Sequence, residues 1–192
     1  MHIYKRFACL ALAGLLLINT ASVTASATEV SLSETTESEV TLPEAECKKC
    51  VYKSQTLTIT KEGFVADSFN GVDALYRKGR NDGSSSTYSC AAYIKRYYKE
   101  VHNVTVSNLL SGRTPVSSKG TFKLVKTPEA GDIVACSSTG GSNHWAIVKQ
   151  VNDDNTVTLI EQNWKWSQGG QTVCKINRSI SVSSGKFYRL YE

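Results

Sequence analysis

Between Val65 and Tyr76, apolar residues recur at steps of three and four, at Val65, Phe69, Val72, Leu75 and Tyr76. That period predicts an amphipathic helix. Gly79 to Ser86 is rich in Gly, Ser, Asn and Asp and reads as a loop. From Cys90 the helical period returns, with Tyr93, Ile94, Tyr97, Tyr98 and Val101 on one side and Lys95, Arg96 and Lys99 on the other. Ser89 is placed to cap this second helix. Beyond Pro128 the pattern changes to short β-rich runs bounded by turn residues: Asp132 to Cys136, Trp145 to Val151, Thr156 to Glu161, Thr172 to Ile176 and Phe187 to Tyr191. Asn152-Asp153-Asp154-Asn155 has the composition of a hairpin turn. Helices followed by sequential strands predict an α+β domain in which N-terminal helices pack on an antiparallel sheet.

The first residues follow a different pattern. Lys5 and Arg6 precede an uncharged apolar run, Phe7 to Ile18, and small residues follow it up to Ala25-Ser26-Ala27. This is the layout of a secretory signal cleaved after Ala27. The apolar run is shorter than the roughly 20 residues that cross a bilayer; the alternative is an N-terminal anchor that stays attached. Thr28 to Glu46 holds six glutamates, no basic residue and few apolar ones. Such a composition buries too little apolar surface to offset the entropy of ordering, so a flexible linker is expected. The expected organisation is a signal at 1–27, an acidic linker with a C-x-x-C unit at 28–52 and one folded domain at 53–192.

Charge and cysteine content sharpen this picture. From Val51 to Glu192 there are 18 Lys and Arg against 11 Asp and Glu, a balance of +7. A basic exported domain favours anionic surfaces such as an acidic cell-wall polymer or nucleic acid; solubility alone is the plainer reading. Export places the chain where disulfides persist. Without Cys9 of the signal, five cysteines remain, Cys47, Cys50, Cys90, Cys136 and Cys174. The odd number leaves one thiol over if four pair. The expected pairs are Cys136 with Cys174, on strands of one sheet, and Cys47 with Cys50. A four-thiolate zinc site is the rival account, although the second pair lacks close spacing.

Cys90 is the candidate nucleophile. A helix start lowers a thiol pKa because the aligned peptide dipoles place partial positive charge there. From position alone, a buried structural cysteine or a disulfide half fits equally well. The thiolate needs a base, and His suits that work near neutral pH. His102 ends the helix that Cys90 begins, roughly 18 Å away at 1.5 Å per residue, so His144, at the start of an apolar strand, is the candidate. The imidazole in turn needs an orienting acceptor. Glu161 and Asn163 end the neighbouring strand, where an antiparallel hairpin brings them beside His144; a solvated strand end is the plainer reading of Glu161.

Cys90 opening a helix, Pro128-Glu129-Ala130-Gly131-Asp132-Ile133-Val134, Asn143-His144-Trp145-Ala146-Ile147-Val148 and Thr158-Leu159-Ile160-Glu161-Gln162-Asn163-Trp164 together resemble the CHAP family. These are cysteine, histidine-dependent amidohydrolases and peptidases of the papain-like group, close to the NlpC-type peptidases. The resemblance spans about residues 53 to 192. It implies a papain-like fold and cleavage of an amide bond in bacterial peptidoglycan through a thioester on Cys90, with His144 as base, Glu161 as orienting residue and Asn163 as a further polar member. The family usually has Gln where this chain has Ser89, so the oxyanion would lean on the Cys90 N–H and the Tyr88 hydroxyl. The loop before Cys90 offers only Asn81 and Asp82, too few oxygens for the calcium that some members hold, and no cofactor or metal is expected. Trp145 and Trp166 are candidate groove residues, with core packing the alternative for Trp145.

The expected protein is a secreted or wall-associated bacterial monomer whose partner is peptidoglycan rather than nucleic acid or membrane. A wall-binding module without turnover and a papain-like acyl transferase are the alternatives. Asn103-Val104-Thr105 and Asn177-Arg178-Ser179 match the glycosylation pattern, which has no force in a bacterial source.

Overall fold

The structure is a computed structural model that describes residues 52–79, 82–137 and 143–192. The signal, the acidic linker, Cys47, Cys50, Asn81 and the Gly140-Gly141-Ser142 turn lie outside the described residues. In chain order the elements are β1 (Gln55–Thr58), β2 (Phe64–Phe69), β3 (Val72–Tyr76), α1 (Cys90–His102), β4 (Val106–Ser107) and β5 (Val116–Ser117). There follow β6 (Thr121–Val125), β7 (Ile133–Ser137), β8 (Asn143–Val151), β9 (Thr156–Glu161) and β10 (Lys165–Gln168). The last are β11 (Gln171–Ile176), β12 (Arg178–Ser181), a 3₁₀ turn at Val182–Ser184 and β13 (Gly185–Tyr191).

The strand expectations beyond Pro128 match β7, β8, β9, β11 and β13. Four of these runs, β7, β8, β9 and β13, alternate or stay apolar because they belong to one large sheet with one or both faces covered. That sheet has the order β12-β9-β8-β7-β13-β6, and every pairing in it is antiparallel. Tyr93, Ile94, Tyr97 and Tyr98 of α1 are buried with Ile133, Trp145, Ile147 and Ile160 in the main core cluster. Val134, Ala146, Val148, Leu159 and Phe187 form a second cluster. Strict period-2 alternation therefore assigns Trp145 and Ile147 to the helix side, and Ala146 and Val148 to the other.

The expected helix over Val65 to Tyr76 is a correction. These residues form the β2–β3 hairpin, so the domain is mostly β with a single α-helix among the described residues. Asn70-Gly71 sits at the tip with φ of 50° and 79°, the left-handed pair that a tight two-residue hairpin turn requires. A bulge between Val65 and Asp67 shifts the register, which disguised a strand's period of two as a helix's steps of three and four. Lys149 of β8, itself buried, donates to both oxygens of Asp67 at 2.7 and 2.9 Å and fastens this hairpin to the main sheet.

The expected Cys136–Cys174 disulfide is also corrected. Both thiols are free and buried. Cys136 lies on β7 in the six-stranded sheet, whereas Cys174 lies on β11, which pairs with β1 and β10 in a separate three-stranded sheet. Counting cysteines could not reveal that β11 leaves the main sheet. Asn177 of the second glycosylation match is buried, and its amide oxygen accepts from Lys149 at 3.1 Å.

Candidate active site

Ser89 caps α1 with extended backbone (φ −73°, ψ 158°), and its hydroxyl accepts from the Ala92 N–H at 3.1 Å. The cap is buried and fully occupied with the helix start. Cys90 therefore stands at the first helical position, half-buried, with its sulfur beside the uncompensated N–H groups of the first turn. It opens into a pocket of about 480 Å³ whose walls include His144, Asn163, Trp164 and Trp166.

The sheet register builds the rest. Cys136 of β7 pairs with His144 of β8, Ala146 of β8 pairs with Glu161 of β9, and Leu159 of β9 pairs with Arg178 of β12. Since residues two apart share a face, Cys136, His144, Glu161 and Arg178 lie on one face across four adjacent strands. His144 donates from Nε2 to Glu161 Oε2 at 2.9 Å. Arg178 grips the same carboxylate with both ends of its fork, Nε to Oε1 at 2.8 Å and Nη2 to Oε2 at 2.7 Å. Its Nη2 also reaches the Cys136 sulfur at 3.4 Å. The Arg178 guanidinium lies 3.9 Å over the Trp164 ring, and that ring meets the His144 imidazole edge-on at 5.0 Å. His144 is thus held by a carboxylate on one side and an aromatic face on another.

The electrostatics follow from these contacts. Burial alone pushes the Cys90 thiol up, but the hydrogen bond to His144, the His144 charge and the N–H groups of Trp145 and Ala91 outweigh it and leave the thiol below its ordinary value. Because Nε2 is taken by Glu161, the nitrogen left for the sulfur is Nδ1. Burial pulls His144 down, yet its bonds to Cys90 and Glu161 raise it to about 9. Glu161 is fully buried, which raises its pKa, and Arg178 followed by His144 lowers it below the usual carboxylate range. These contacts favour a thiolate beside an imidazolium over a thiol beside a neutral imidazole. Cys136 and Cys174 differ: burial raises both, Cys174 to about 11.

Asn163 lines the pocket with a left-handed backbone (φ 63°), while the bond to His144 is made by Glu161. Trp166 of β10 is half-buried in the pocket wall; Trp145 is buried and tilted against Tyr188 in the core. Tyr88 is not among the pocket's lining residues, and the neighbouring Glu62 carboxylate raises its pKa. His102 packs on Tyr97 and Tyr98 at the far end of α1.

Three residues outside the sequence expectation complete the frame. Arg178 is the first. Gln162, fully buried, donates to Thr87 O at 2.8 Å and Ser89 O at 3.2 Å and accepts from the Leu75 N–H and Arg96. All four of its hydrogen-bonding positions are filled, and the residue before Cys90 is thereby tied to the end of β9. Lys165, with Arg77, pairs with the buried Asp82 carboxylate and anchors the loop ahead of Cys90 to β10. Both Asp82 oxygens are engaged by cations. A polar residue between two site residues was the one signal for Gln162; Arg178 gave none, since β12 follows β11 with a single residue between.

Residues 80–163 match the CHAP domain family model. No curated protein matches the chain. Among solved structures, an N-acetylmuramoyl-L-alanine amidase from Staphylococcus aureus aligns at 15% identity and a TM-score of 0.35. That alignment takes in 59% of this chain and 38% of the amidase chain. The match encloses Cys90, His144, Glu161 and Asn163, so that this part of the chain is similar to a CHAP domain.

Proposed function

We propose that this protein is an exported cysteine hydrolase that cleaves an amide bond of peptidoglycan. The observation that carries the reading is the connected line from Cys90 through His144 and Glu161 to Arg178, opening into a pocket walled by Trp164 and Trp166. The CHAP domain match over residues 80–163 supports a peptidoglycan amidase or peptidase in general. Export rests on the signal layout of the first 27 residues.

The Cys90 thiolate adds to the amide carbonyl carbon, and the carbonyl oxygen takes the negative charge. N–H groups at the start of α1 are the donors available to that oxygen, in place of a glutamine side chain, because the Ser89 hydroxyl is spent on capping. His144 passes its proton to the departing amine as the C–N bond breaks, leaving a thioester. Neutral His144 then takes a proton from water, hydroxide attacks the thioester carbonyl, and Cys90 leaves as thiolate beside a restored imidazolium. Glu161 holds the ring in place and stabilises its charge through both steps.

Mass spectrometry of soluble products from purified peptidoglycan tests this. New amine and carboxylate ends in equal amount are expected, and their position names the bond. Undigested wall with protein bound to it would instead favour a binding module, and product joined to an added amine would favour an acyl transferase.

A further inference from the structure

The nucleophile pocket continues in two directions. It shares Gly83, Ala91, Leu109 and Leu110 with a serine-rich cavity that ends at Lys95, and Ser111 and Asn143 with a third cavity that contains Arg113 and Lys186. The three cavities adjoin along these shared walls, with the Cys90 pocket between the other two. No Asp or Glu lines any of it among the described residues.

Five of the domain's acids are paired with other cations. Asp67 is paired with Lys149, Asp82 with Lys165 and Arg77, Glu129 and Asp132 with Arg189, and Glu161 with Arg178. Arg113 and Lys186 are both exposed, and neither has an ion pair with a described acidic residue. Two cations in one arm with no counter-charge leave a positive field that a low-dielectric wall focuses.

The register brings this arm close to the chemistry. Lys186 of β13 pairs with Ala135 of β7, and Ala135 pairs with Trp145 of β8, a wall residue of the nucleophile pocket. Two strand spacings separate them, about 10 Å. The backbone there is tightly packed: a Cβ on Gly185 would lie 2.8 Å from Val134 Cγ2 and 2.9 Å from the Phe187 ring.

We propose that Arg113 and Lys186 form a carboxylate subsite, which binds a free carboxylate of the substrate peptide on one side of the amide bond presented to Cys90. The proposal rests on the peptidic substrate of the preceding section and adds the charge that the substrate carries. It makes the enzyme selective for wall peptides whose carboxylates are free rather than amidated.

The test uses the Cys90→Ala protein, titrated calorimetrically with a soluble N-acetylmuramoyl peptide bearing free stem carboxylates and with the same peptide amidated. The free-acid form should bind about 10-fold more tightly, in line with two partly exposed charge pairs. Adding Arg113→Gln and Lys186→Gln should bring the ratio near one, whereas adding Lys95→Gln, at the opposite arm, should leave it in place. Equal binding of the two peptides, or a preference that survives the double change, overturns the subsite, as does an equal loss with Lys95→Gln, which would mean diffuse attraction. Wall hydrolysis by the wild-type protein is scored separately. Cleavage without carboxylate preference sinks the subsite alone; preference without cleavage sinks the hydrolase reading and leaves the anion site standing.

Discussion

Cys90→Ala is expected to remove hydrolysis of peptidoglycan altogether, a loss of at least about 10,000-fold, because Cys90 carries the one thiol among the described residues that line the pocket. Cys136 cannot substitute, being held above its ordinary pKa and bound to Arg178. The fold should survive, since Cys90 is only half-buried and alanine is the best helix former. His144→Ala is expected to behave alike, as the sulfur then loses the main interactions that lower its pKa. Turnover assays beside circular dichroism check both variants. Near-wild-type hydrolysis by either one contradicts the assignment.

The second large effect concerns the carboxylate behind the histidine. Glu161→Gln is expected to reduce kcat/KM about 100-fold, close to the lower end of what a positioned acid–base system contributes. It should also move the alkaline limb of the pH profile. In the native protein the thiolate–imidazolium pair exists above the lowered Cys90 value and below about 9, where His144 deprotonates. Without the Glu161 charge His144 falls towards its ordinary 6.5, and the limb moves to lower pH with it. Arg178→Met acts one step further out. It leaves Glu161 fully buried and facing only His144, so a stability loss of about 3 to 5 kcal/mol is expected, and Arg178→Lys should recover part of it. The sign of the pH dependence of stability follows from the same histidine. Its folded value lies above its unfolded one, so the contribution is complete below about 6.5 and is lost as pH rises through about 9. Thermal melts of wild type and Glu161→Gln across that range should converge on the alkaline side.

The site was legible where chemistry and local pattern coincide. A cysteine after a polar loop and before an amphipathic helix, and a histidine and a glutamate 17 positions apart around a hairpin turn, are local signals; the sheet register turns that spacing into a 2.9 Å hydrogen bond. The hairpin at Asn70-Gly71 was legible too, but the bulge beside it mimicked helical steps and the period prevailed over the turn residues. Arg178 and Cys174 needed information no local pattern carries. One depends on β12 returning to the edge of β9, the other on β11 joining β1 more than a hundred residues earlier in the chain. Tyr88, adjacent in sequence to the helix cap, is not among the pocket's lining residues and has the distant Glu62 carboxylate as its main electrostatic neighbour, which no local pattern carries.

The central claim is that Cys90 is a thiolate made reactive by His144. Its most direct measurement is the rate of iodoacetamide alkylation of the native protein against pH, with the labelled cysteine mapped by mass spectrometry. Cys90 should be labelled well ahead of Cys136 and Cys174, already fast at neutral pH, and on a titration below the ordinary thiol value of 9.0; His144→Ala should shift that titration upward. Labelling of Cys90 that gains speed only as pH approaches 9, and that is indifferent to His144, would contradict the account.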